Sequence, residues 1–393
     1  MSGRTRLLMI HEAMGGVGRH VSDVVCGLDP HEFEIKVVFG TSRIDDAYRE
    51  AMHRMREHAD LIPCDALVRS IEPGKEVEAI LELGHIIRDF HPDVVHCHSS
   101  KAGVVGRIAA RRYGVERVFY TPHAYAFQSK EFSKTKQSLF TFAERLLSRH
   151  ATTMTFNVSS GERDAALEHH VDKADKFTVI YNGIADIALP TKLEARQLLD
   201  LPQEAIVIGV TARLVEQKDP MTSLRIVERL VSHDPRIHMA YIGDGDLEPS
   251  MREYCRLHHL EDNVHFLGYR ADAQTVVAAF DVYLLTSLYE GMPYSLVEAL
   301  RAGVPLAVTA ATGNAEVAQP GVNGALFPVG DVDAGVEAVR RLITDPLPAE
   351  RVRNTFLSRF RVEDMVGTLR AWYLGRAAGG PGACAGSVNE KER

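Results

Sequence analysis

The sequence predicts an α/β protein with two Rossmann-like, doubly wound domains. Short apolar runs rich in branched residues alternate with amphipathic helical stretches, and the alternation stops after Asn182-Gly183, at a connection marked by Pro190 and Pro202. It then restarts and continues through most of the remaining chain. Strands that alternate with helices form parallel sheets, which bind ligands beyond the carboxyl ends of their strands. We therefore expect two domains facing each other across a cleft, where a substrate would bind.

The individual elements follow from the apolar periodicity. The predicted strands of the first domain are residues 7–10, 35–39, 94–96, 118–120, 153–156 and 177–180, with helical patterns that include 17–26, 77–90 and 101–113. The predicted strands of the second domain are 206–210, 237–242, 264–267, 282–285 and 306–308. We expect the domains to span 1–185 and 200–358, followed by a helix over 359–375 and a tail over 376–393 that is predicted to be disordered.

The composition is that of an ordinary globular protein. The 393 residues are 45% hydrophobic and 25% charged, which argues against general disorder. The net charge of −8, from 45 basic and 53 acidic residues, argues against a nucleic-acid coat protein. Five scattered cysteines form no disulfide framework, and no apolar run reaches the length of a signal peptide or a spanning helix. We therefore expect a cytoplasmic protein that is neither exported nor an integral membrane protein.

A glycine-rich loop follows the first strand. Gly15 and Gly16, placed just before the next helix, let backbone N–H groups approach an anion. A dinucleotide-binding loop is disfavoured because the motif does not fit GxGxxG and no acidic residue ends the second strand. The other alternative is a tight turn that needs glycine for its geometry alone.

The strongest candidate site follows the predicted strand at 282–285. Glu290 lies in the loop and Glu298 about two turns along the next helix. Two carboxylates at such a sheet edge can accept hydrogen bonds from sugar hydroxyls, while helix N–H groups hold a phosphate. The alternative is an acidic loop residue and a solvated helix glutamate.

Two cations are predicted at the same sheet edge, because Arg213 and Lys218 follow the first strand of the second domain. Fixed cations there would stabilise the negative charge of a departing diphosphate. The alternative is two surface cations on a loop.

The order of these motifs resembles glycosyltransferase family 4, which has the GT-B fold. The resemblance also rests on His-Cys-His-Ser-Ser-Lys at 96–101, Thr-Pro-His at 121–123 and Tyr-Asn-Gly-Ile at 181–184, and it covers nearly the whole chain. Within the family, the motifs are most similar to those of bacterial exopolysaccharide and capsule glycosyltransferases, whose acceptors are polyprenyl-diphosphate-linked. The fold would bring the helix over 359–375 back to the N-terminal domain.

The resemblance implies roles for the residues of the C-terminal, nucleotide-binding domain. It places Glu290 at the transferred sugar and Glu298 at the nucleotide ribose. Arg213 and Lys218 would hold the donor diphosphate. Backbone amides of the turn that follows Glu290 would also bind the diphosphate. This turn consists of Gly291, Met292, Pro293 and Tyr294.

The resemblance also implies roles in the N-terminal, acceptor-binding domain. Gly15 and Gly16 would let the first loop approach the donor phosphates and sugar, and His123 would lie near the reacting sugar. No metal cofactor is expected, because His96 and His98 lack a third ligand in the sequence and family members bind the donor without a metal.

The implied reaction transfers a sugar, with retention at the anomeric carbon, from a nucleotide-sugar to a hydroxyl of a glycan acceptor. UDP-sugars are favoured over GDP-sugars on prevalence alone. A sugar-nucleotide 2-epimerase of the same fold is an alternative, although no carboxylate set in the first domain identifies one. A non-catalytic protein is another alternative. A two-lobed sugar-binding protein would leave the four charged residues without a reason to converge, whereas a degenerate transferase, a non-catalytic sugar-nucleotide-binding protein, is harder to exclude, although every position expected to carry charge is filled.

The first domain also contains a basic segment, residues 101–149, with ten Lys or Arg and three acidic residues. Its part from 125 to 147 interleaves cations with aromatic and aliphatic side chains. Such a segment can lie on anionic lipid, and the alternative is a solvated helix with an ordinary core face. We therefore expect a protein peripheral to the inner face of the cell membrane, with a lipid-linked acceptor.

Overall fold

The computed structural model describes residues 3–12, 14–129 and 132–377. The chain divides into two compact units, which we describe separately. Unit 1 comprises residues 1–158, 162–180 and 366–393, and unit 2 comprises 159–161 and 181–365. Within the described residues each unit is built on one parallel sheet with crossover helices, so the predicted α/β class is confirmed.

The sheet of unit 1 has seven strands among the described residues, in the order β3-β2-β1-β4-β5-β6-β7. Its strands are β1 (Thr5–His11), β2 (Phe33–Gly40), β3 (Ala59–Cys64), β4 (Val94–His98), β5 (Arg117–Thr121), β6 (Met154–Asn157) and β7 (Phe177–Val179). Its helices up to that point are α1 (Gly16–Gly27), α2 (Asp46–Met55), α3 (Pro73–Phe90), α4 (Ser100–Arg112), α5 (Lys134–Ala151) and α6 (Ser160–Glu168). The central strands are buried on both faces, which explains their continuous apolar runs.

The sheet of unit 2 has six strands among the described residues, in the order β10-β9-β8-β11-β12-β13. Its strands are β8 (Ile206–Thr211), β9 (Ile237–Ile242), β10 (Val264–Phe266), β11 (Val282–Leu285), β12 (Leu306–Thr309) and β13 (Gly324–Phe327). Its helices are α7 (Lys192–Leu198), α8 (Pro220–Val231), α9 (Glu248–Leu257), α10 (Ala273–Val276), α11 (Tyr294–Arg301), α12 (Asn314–Val317), α13 (Val332–Thr344) and α14 (Ala349–Arg359).

The connection after Asn182 is more ordered than the sequence predicted. Residues 181–185, predicted to belong to the first domain, lie in unit 2, where the Ile184 backbone N–H donates to the carbonyl of Phe360 at 2.9 Å. The irregular stretch that follows contains helix α7. A capping box starts this helix, because the Thr191 hydroxyl and the Glu194 carboxylate each bind the other residue's backbone N–H.

A final helix, α15 (Val362–Tyr373), begins in unit 2, and from Val366 onward the chain belongs to unit 1. Arg370 forms a bidentate ion pair with Glu32. The Tyr373 ring is fully buried, and its hydroxyl hydrogen-bonds Nδ1 of His96 at 2.6 Å. Most of the tail predicted to be disordered, residues 378–393, lies outside the described residues. No helix in the described part of the chain is long and apolar enough to cross a membrane.

Candidate active site

In unit 2, neighbouring strands bring the two charged motifs together. β8 and β11 pair in parallel, with Ile208 opposite Val282, so the loops that follow them leave the same edge of the sheet. The loops are joined by hydrogen bonds: the Thr286 hydroxyl donates to the carbonyls of Lys218 and Asp219, at 3.1 and 2.8 Å. The sheet topology therefore fixes the position of each loop relative to the other.

The central contact of this site is an ion pair between Lys218 and Glu290. Nζ of Lys218 lies 2.5 Å from Oε1 of Glu290, and the two side chains are 17% and 7% exposed. Two opposite charges removed from water to this degree stabilise each other and hold both side chains in place. The interpretation of Lys218 as an ordinary surface cation is therefore wrong, and Glu290 is an acidic loop residue held in an ion pair.

The turn between Glu290 and α11 is packed against Gly313. A Cβ atom at Gly313 would lie 1.9 Å from the carbonyl oxygen of Gly291, so only glycine fits there. The Gly313 N–H donates to the carbonyl of Glu290 at 3.2 Å. Pro293 stands at the N-cap of α11 and gives no side-chain hydrogen bond to the backbone N–H groups of the first turn, of which that of Leu296 donates to the Pro293 carbonyl at 3.3 Å. Such N–H groups are suited to bind an anion.

Glu298 lies inside α11 and is buried, with 6% of its surface exposed. The alternative of a solvated helix glutamate is therefore excluded. Glu298 lies close enough to Tyr283 to influence its pKa. Burial raises the pKa of the Tyr283 hydroxyl to about 12, and the negative charge of Glu298 adds to this rise. Hydrogen bonds of the Tyr283 hydroxyl with Ser295 and Thr211 act in the opposite direction. Glu298 is thus a buried carboxylate on the helix that follows the Glu290 loop.

Arg213 differs from the other three charged residues because its side chain is exposed. It forms no ion pair within the described residues, but it lines the same small cavity as Lys218 and Thr286. The structure thus places an exposed guanidinium beside a largely buried ammonium–carboxylate pair. A diphosphate would meet two positive groups there.

In unit 1, the glycine-rich loop leads into α1. Gly15 has φ +61°, a conformation that favours glycine, and it stands at the N-cap of α1 with Gly16 as the first helical residue. A Cβ at Gly18 would lie 2.7 Å from the Tyr48 ring. Turn geometry and packing therefore explain Gly15 and Gly18, while Gly16 stands where an anion would meet the helix N-terminus.

A cluster of three histidines lies at the carboxyl edge of the unit 1 sheet. His20 from α1, His98 from the end of β4 and His123 after β5 each place a ring nitrogen within 4.8 Å of the others. Nδ1 of His98 lies 3.3 Å from Nε2 of His123. Burial is the main cause that lowers the pKa of His98 and of His123, so both rings are neutral near pH 7.

His96 is a core histidine rather than a partner in a metal pair with His98. Its Nδ1 contacts the hydroxyl of Tyr373 at 2.6 Å, and its Nε2 contacts the hydroxyl of Thr121 at 2.9 Å. Both ring nitrogens are therefore occupied. The sequence presented His96 and His98 as a pair of possible ligands but did not show that their roles differ.

The backbone around His123 adopts left-handed conformations that non-glycine residues rarely use. The φ angles are +55° at His123 and +100° at Ala124. The Ala124 N–H donates to Oε1 of Glu162 at 2.6 Å, which holds the loop. Such backbone strain is common at functional sites.

Three residues that support the site were not predicted as functional. His20 lies one helical turn after Gly16, and its place in Gly-Arg-His was the only sequence signal for it. Gly313 and Glu162 act through contacts with residues distant in the chain, so no local pattern marks them.

The basic segment 101–149 is only partly a charged surface. Arg107 is fully buried and paired with Glu144, and Lys101 pairs with Glu76. Arg145 donates to backbone carbonyls of the loop after α6. Lys130 lies outside the described residues. The exposed cations of the described part of this segment are Arg111 and Arg112 on α4 and Lys134, Lys136 and Arg149 on α5, so fewer cations are available than the sequence suggested.

Comparison with known proteins supports a single class. Residues 15–183 match the family model described as glycosyl transferase 4-like domain, and residues 191–356 match the model described as glycosyl transferases group 1. The two matches together cover most of the chain: the first spans β2 to β7 of the unit 1 sheet, and the second spans all six described strands of the unit 2 sheet. The protein is a glycosyltransferase. It belongs to glycosyltransferase family 4, with the GT-B fold.

Among curated proteins, the chain is 26% identical over 318 residues to UDP-Gal:alpha-D-GlcNAc-diphosphoundecaprenol alpha-1,3-galactosyltransferase of Escherichia coli, covering 78% of this chain and 82% of that protein. It is 28% identical over 315 residues to 2-deoxystreptamine N-acetyl-D-glucosaminyltransferase of Streptomyces fradiae, covering 75% and 74%. Among solved structures, Anabaena HepE in complex with UDP and glucose superposes with a TM-score of 0.79 at 19% identity, covering 95% of this chain and all of that one.

Proposed function

We propose that the protein is a retaining hexosyltransferase that acts in surface polysaccharide biosynthesis. It moves a sugar from a nucleotide-sugar, with a UDP-sugar favoured and a GDP-sugar as the alternative, to a hydroxyl of a glycan acceptor. The acceptor is proposed to be linked to a polyprenyl diphosphate. The observation that carries the proposal is the Lys218–Glu290 pair at the carboxyl edge of the unit 2 sheet, with Glu298 buried on the adjoining helix.

The donor roles follow from the charges and their burial. The exposed guanidinium of Arg213, the ammonium of Lys218 and the N–H groups at the start of α11 suit a diphosphate, which needs positive charge and hydrogen-bond donors. Glu298, a buried acceptor, suits the ribose hydroxyls of the nucleotide. Glu290, held by Lys218, suits a hydroxyl of the transferred sugar.

The proposed chemical step is a front-face substitution at the anomeric carbon. The bond from that carbon to the diphosphate oxygen breaks, and the bond to the acceptor oxygen forms on the same face. The acceptor's hydroxyl proton passes to the departing diphosphate. Arg213 and Lys218 stabilise the negative charge that develops on the diphosphate, so the enzyme contributes mainly positioning and electrostatics.

Unit 1 is proposed to bind the acceptor and to contribute Gly15, Gly16 and His123 near the reacting sugar. His123 is neutral near pH 7, because burial is the main cause that lowers its pKa, and it can therefore accept or donate a hydrogen bond to a hydroxyl. We propose that transfer needs no metal ion, since the two cations of unit 2 supply positive charge for the diphosphate. Activity in excess EDTA tests this point.

The lipid-linked acceptor is supported by two observations. The name of the Escherichia coli relative specifies a diphosphoundecaprenol acceptor. Helix α5 exposes Leu139, Phe142 and Leu146, which are spaced to lie on one helical face, and it carries exposed Lys134 and Lys136. An apolar stripe flanked by cations suits an anionic lipid surface. We propose that the protein is cytoplasmic and associates peripherally with the membrane there.

The decisive experiment combines a donor screen with two single variants. Thermal shift with UDP-, GDP- and ADP-sugars identifies the donor, because a ligand that binds only the native state raises its stability. Glu298→Ala should weaken nucleotide binding at least about 10-fold through loss of hydrogen bonds to a charged group. Glu290→Ala should bind the nucleotide and lower turnover by about 100-fold or more. Glu337→Ala, at an exposed site on α13, is the matched control.

Two results would contradict the assignment. Full transfer activity in both Glu290→Ala and Glu298→Ala would show that these carboxylates do not form the site. An inverted anomeric configuration of the product, determined by nuclear magnetic resonance, would contradict the front-face step. Epimerisation of the donor in the absence of any acceptor would instead favour a 2-epimerase.

A further inference from the structure

The histidine cluster of unit 1 combines features that the proposed sugar transfer does not require. The transfer uses His123 alone, yet His20 and His98 converge on it from two other elements, α1 and β4. His20 and His98 are 2% and 0% exposed. The three imidazole rings belong to three different segments, α1, the end of β4 and the loop after β5, and they meet at one edge of the sheet.

We propose that His20, His98 and His123 form a binding site for a divalent transition-metal ion of the zinc type. Imidazole nitrogen is a preferred ligand of Zn²⁺, Co²⁺, Ni²⁺ and Cu²⁺. Three protein ligands with a fourth position left for another group make an open site rather than a closed structural one.

The separations within the cluster are close to those that a tetrahedral ion requires. Zn–N bonds of about 2.0–2.1 Å place two ligand nitrogens about 3.4 Å apart. Nδ1 of His98 and Nε2 of His123 are 3.3 Å apart, so this pair matches the required spacing without adjustment. The remaining separations are at most 4.8 Å, and ring rotations that shorten them by about 1.4 Å would complete the set.

The surroundings of the cluster also favour a metal ion. The His98 ring also offers its second nitrogen: Nε2 is buried and finds no hydrogen-bond partner among the described residues, whereas Nδ1 is the atom that lies 3.3 Å from Nε2 of His123. His96 packs against His98, with ring centroids 4.0 Å apart, but its nitrogens are held by Tyr373 and Thr121. It is therefore not part of the ligand set.

Occupation of the site would engage His123. If His123 also contacts the reacting sugar, a bound ion competes with the donor sugar for that ring, and we expect the metal to inhibit transfer. This consequence rests on the proposed function, whereas metal binding itself does not. The binding measurement below therefore uses protein without donor, so that failure of the metal site and failure of the proposed function give different results.

The test is titration of the full chain, after dialysis against EDTA, with Co²⁺ followed by its ligand-field absorption, and then displacement by Zn²⁺. We expect one Co²⁺ per chain, with the intense visible absorption of a four-coordinate ion. His20→Ala should weaken binding by more than about 100-fold, because even loss of a group that only orients a ligand costs about 10- to 100-fold. His98→Ala should act in the same direction.

The matched control is His238→Ala in unit 2. His238 and His265 form another close histidine pair, 2.9 Å apart, and neither belongs to a group of three candidate ligands among the described residues. This variant should bind Co²⁺ like the unchanged chain. His20→Gln, a second variant of the same position, and far-ultraviolet circular dichroism show whether loss of binding reflects unfolding. Equal Co²⁺ affinity in folded His20→Gln and the unchanged chain, or no four-coordinate Co²⁺ at millimolar concentration, would overturn the proposal.

Discussion

At the scale of single residues, partners decide what a charged or titratable side chain does. Lys218 and Glu290 are 72 positions apart in the chain, yet they form one ion pair. His96 and His98 lie two positions apart on one strand, yet both ring nitrogens of His96 are hydrogen-bonded to hydroxyls, whereas Nδ1 of His98 faces His123. Residue type and position predicted which side chains carry chemistry, but not which of them interact.

The ion pair leads to a prediction about stability. Lys218→Ala leaves the Glu290 carboxylate largely removed from water and without its cation, so we expect the free energy of unfolding to fall by about 2 kcal/mol. Urea denaturation measures the change. Arg213→Ala, at an exposed site with no ion pair among the described residues, should change stability by less than about 0.5 kcal/mol.

A double variant separates pairing from other effects of the substitution. Lys218→Ala combined with Glu290→Gln removes both charges, so it should recover most of the stability that Lys218→Ala alone loses. If the double variant loses as much free energy of unfolding as the two single variants lose together, the Lys218–Glu290 ion pair does not stabilise the protein.

At the scale of elements, the strands that the sequence missed are both at sheet edges. β3 contains Asp60 and Pro63, and β13 begins with Gly324 and is only four residues long. Proline is tolerated at an edge because its missing N–H is not needed by a second neighbour. The other two edge strands, β7 and β10, were predicted, because their short apolar runs contain no proline, glycine or acidic residue. Periodicity alone therefore finds the central strands, which are buried on both faces, and misses an edge strand where such residues weaken the pattern.

Helix α5 provides a prediction at this scale. We expect vesicles containing anionic lipid to bind the protein, and the triple variant Leu139→Ser, Phe142→Ser, Leu146→Ser to bind about 100-fold more weakly, because three largely exposed apolar side chains lose their contact with lipid. Co-sedimentation with vesicles measures this. The matched control is Leu193→Ser, Leu198→Ser, Leu257→Ser, whose residues are 56%, 56% and 59% exposed on other helices.

The two triple variants have clear discriminating outcomes. Equal loss of vesicle binding in both triple variants would mean that any exposed apolar side chains contribute to lipid binding, and it would contradict a specific role for α5. Absence of binding by the unchanged chain at low salt would remove the membrane proposal and leave the transferase assignment intact.

At the scale of the whole molecule, chain order and spatial unit do not coincide. Unit 1 contains the first part of the chain and also residues from Val366 onward, where Leu369 and Tyr373 are buried. The guanidinium Nη1 of Arg117, on β5, donates a hydrogen bond to the backbone carbonyl of Tyr373 at 2.6 Å. The C-terminal half of α15 is thus part of the core of unit 1.

A truncation tests this arrangement. A chain that ends after Met365 loses the buried side chains of Val366, Leu369 and Tyr373, each worth about 1.5–3 kcal/mol when fully buried, so we expect unit 1 to be destabilised by several kcal/mol. Hydrogen exchange of the β1 and β4 amides measures this loss. A chain that ends after residue 377 keeps α15 and should retain the protection of these strands. Unchanged protection in the shorter chain would contradict the assignment.

The sequence by itself determined the α/β class, the two sheets and the central strands, and it selected the charged residues of the proposed donor site. It could do so because burial on both faces of a sheet and charge after a strand leave local patterns. The tertiary structure alone decided that Lys218 pairs with Glu290, that Glu298 is buried, that Gly313 supports the Glu290 loop and that His20 completes a cluster with His98 and His123. Each of these depends on contacts between residues far apart in the chain, and such contacts are set by the order of strands in the sheet rather than by any local pattern.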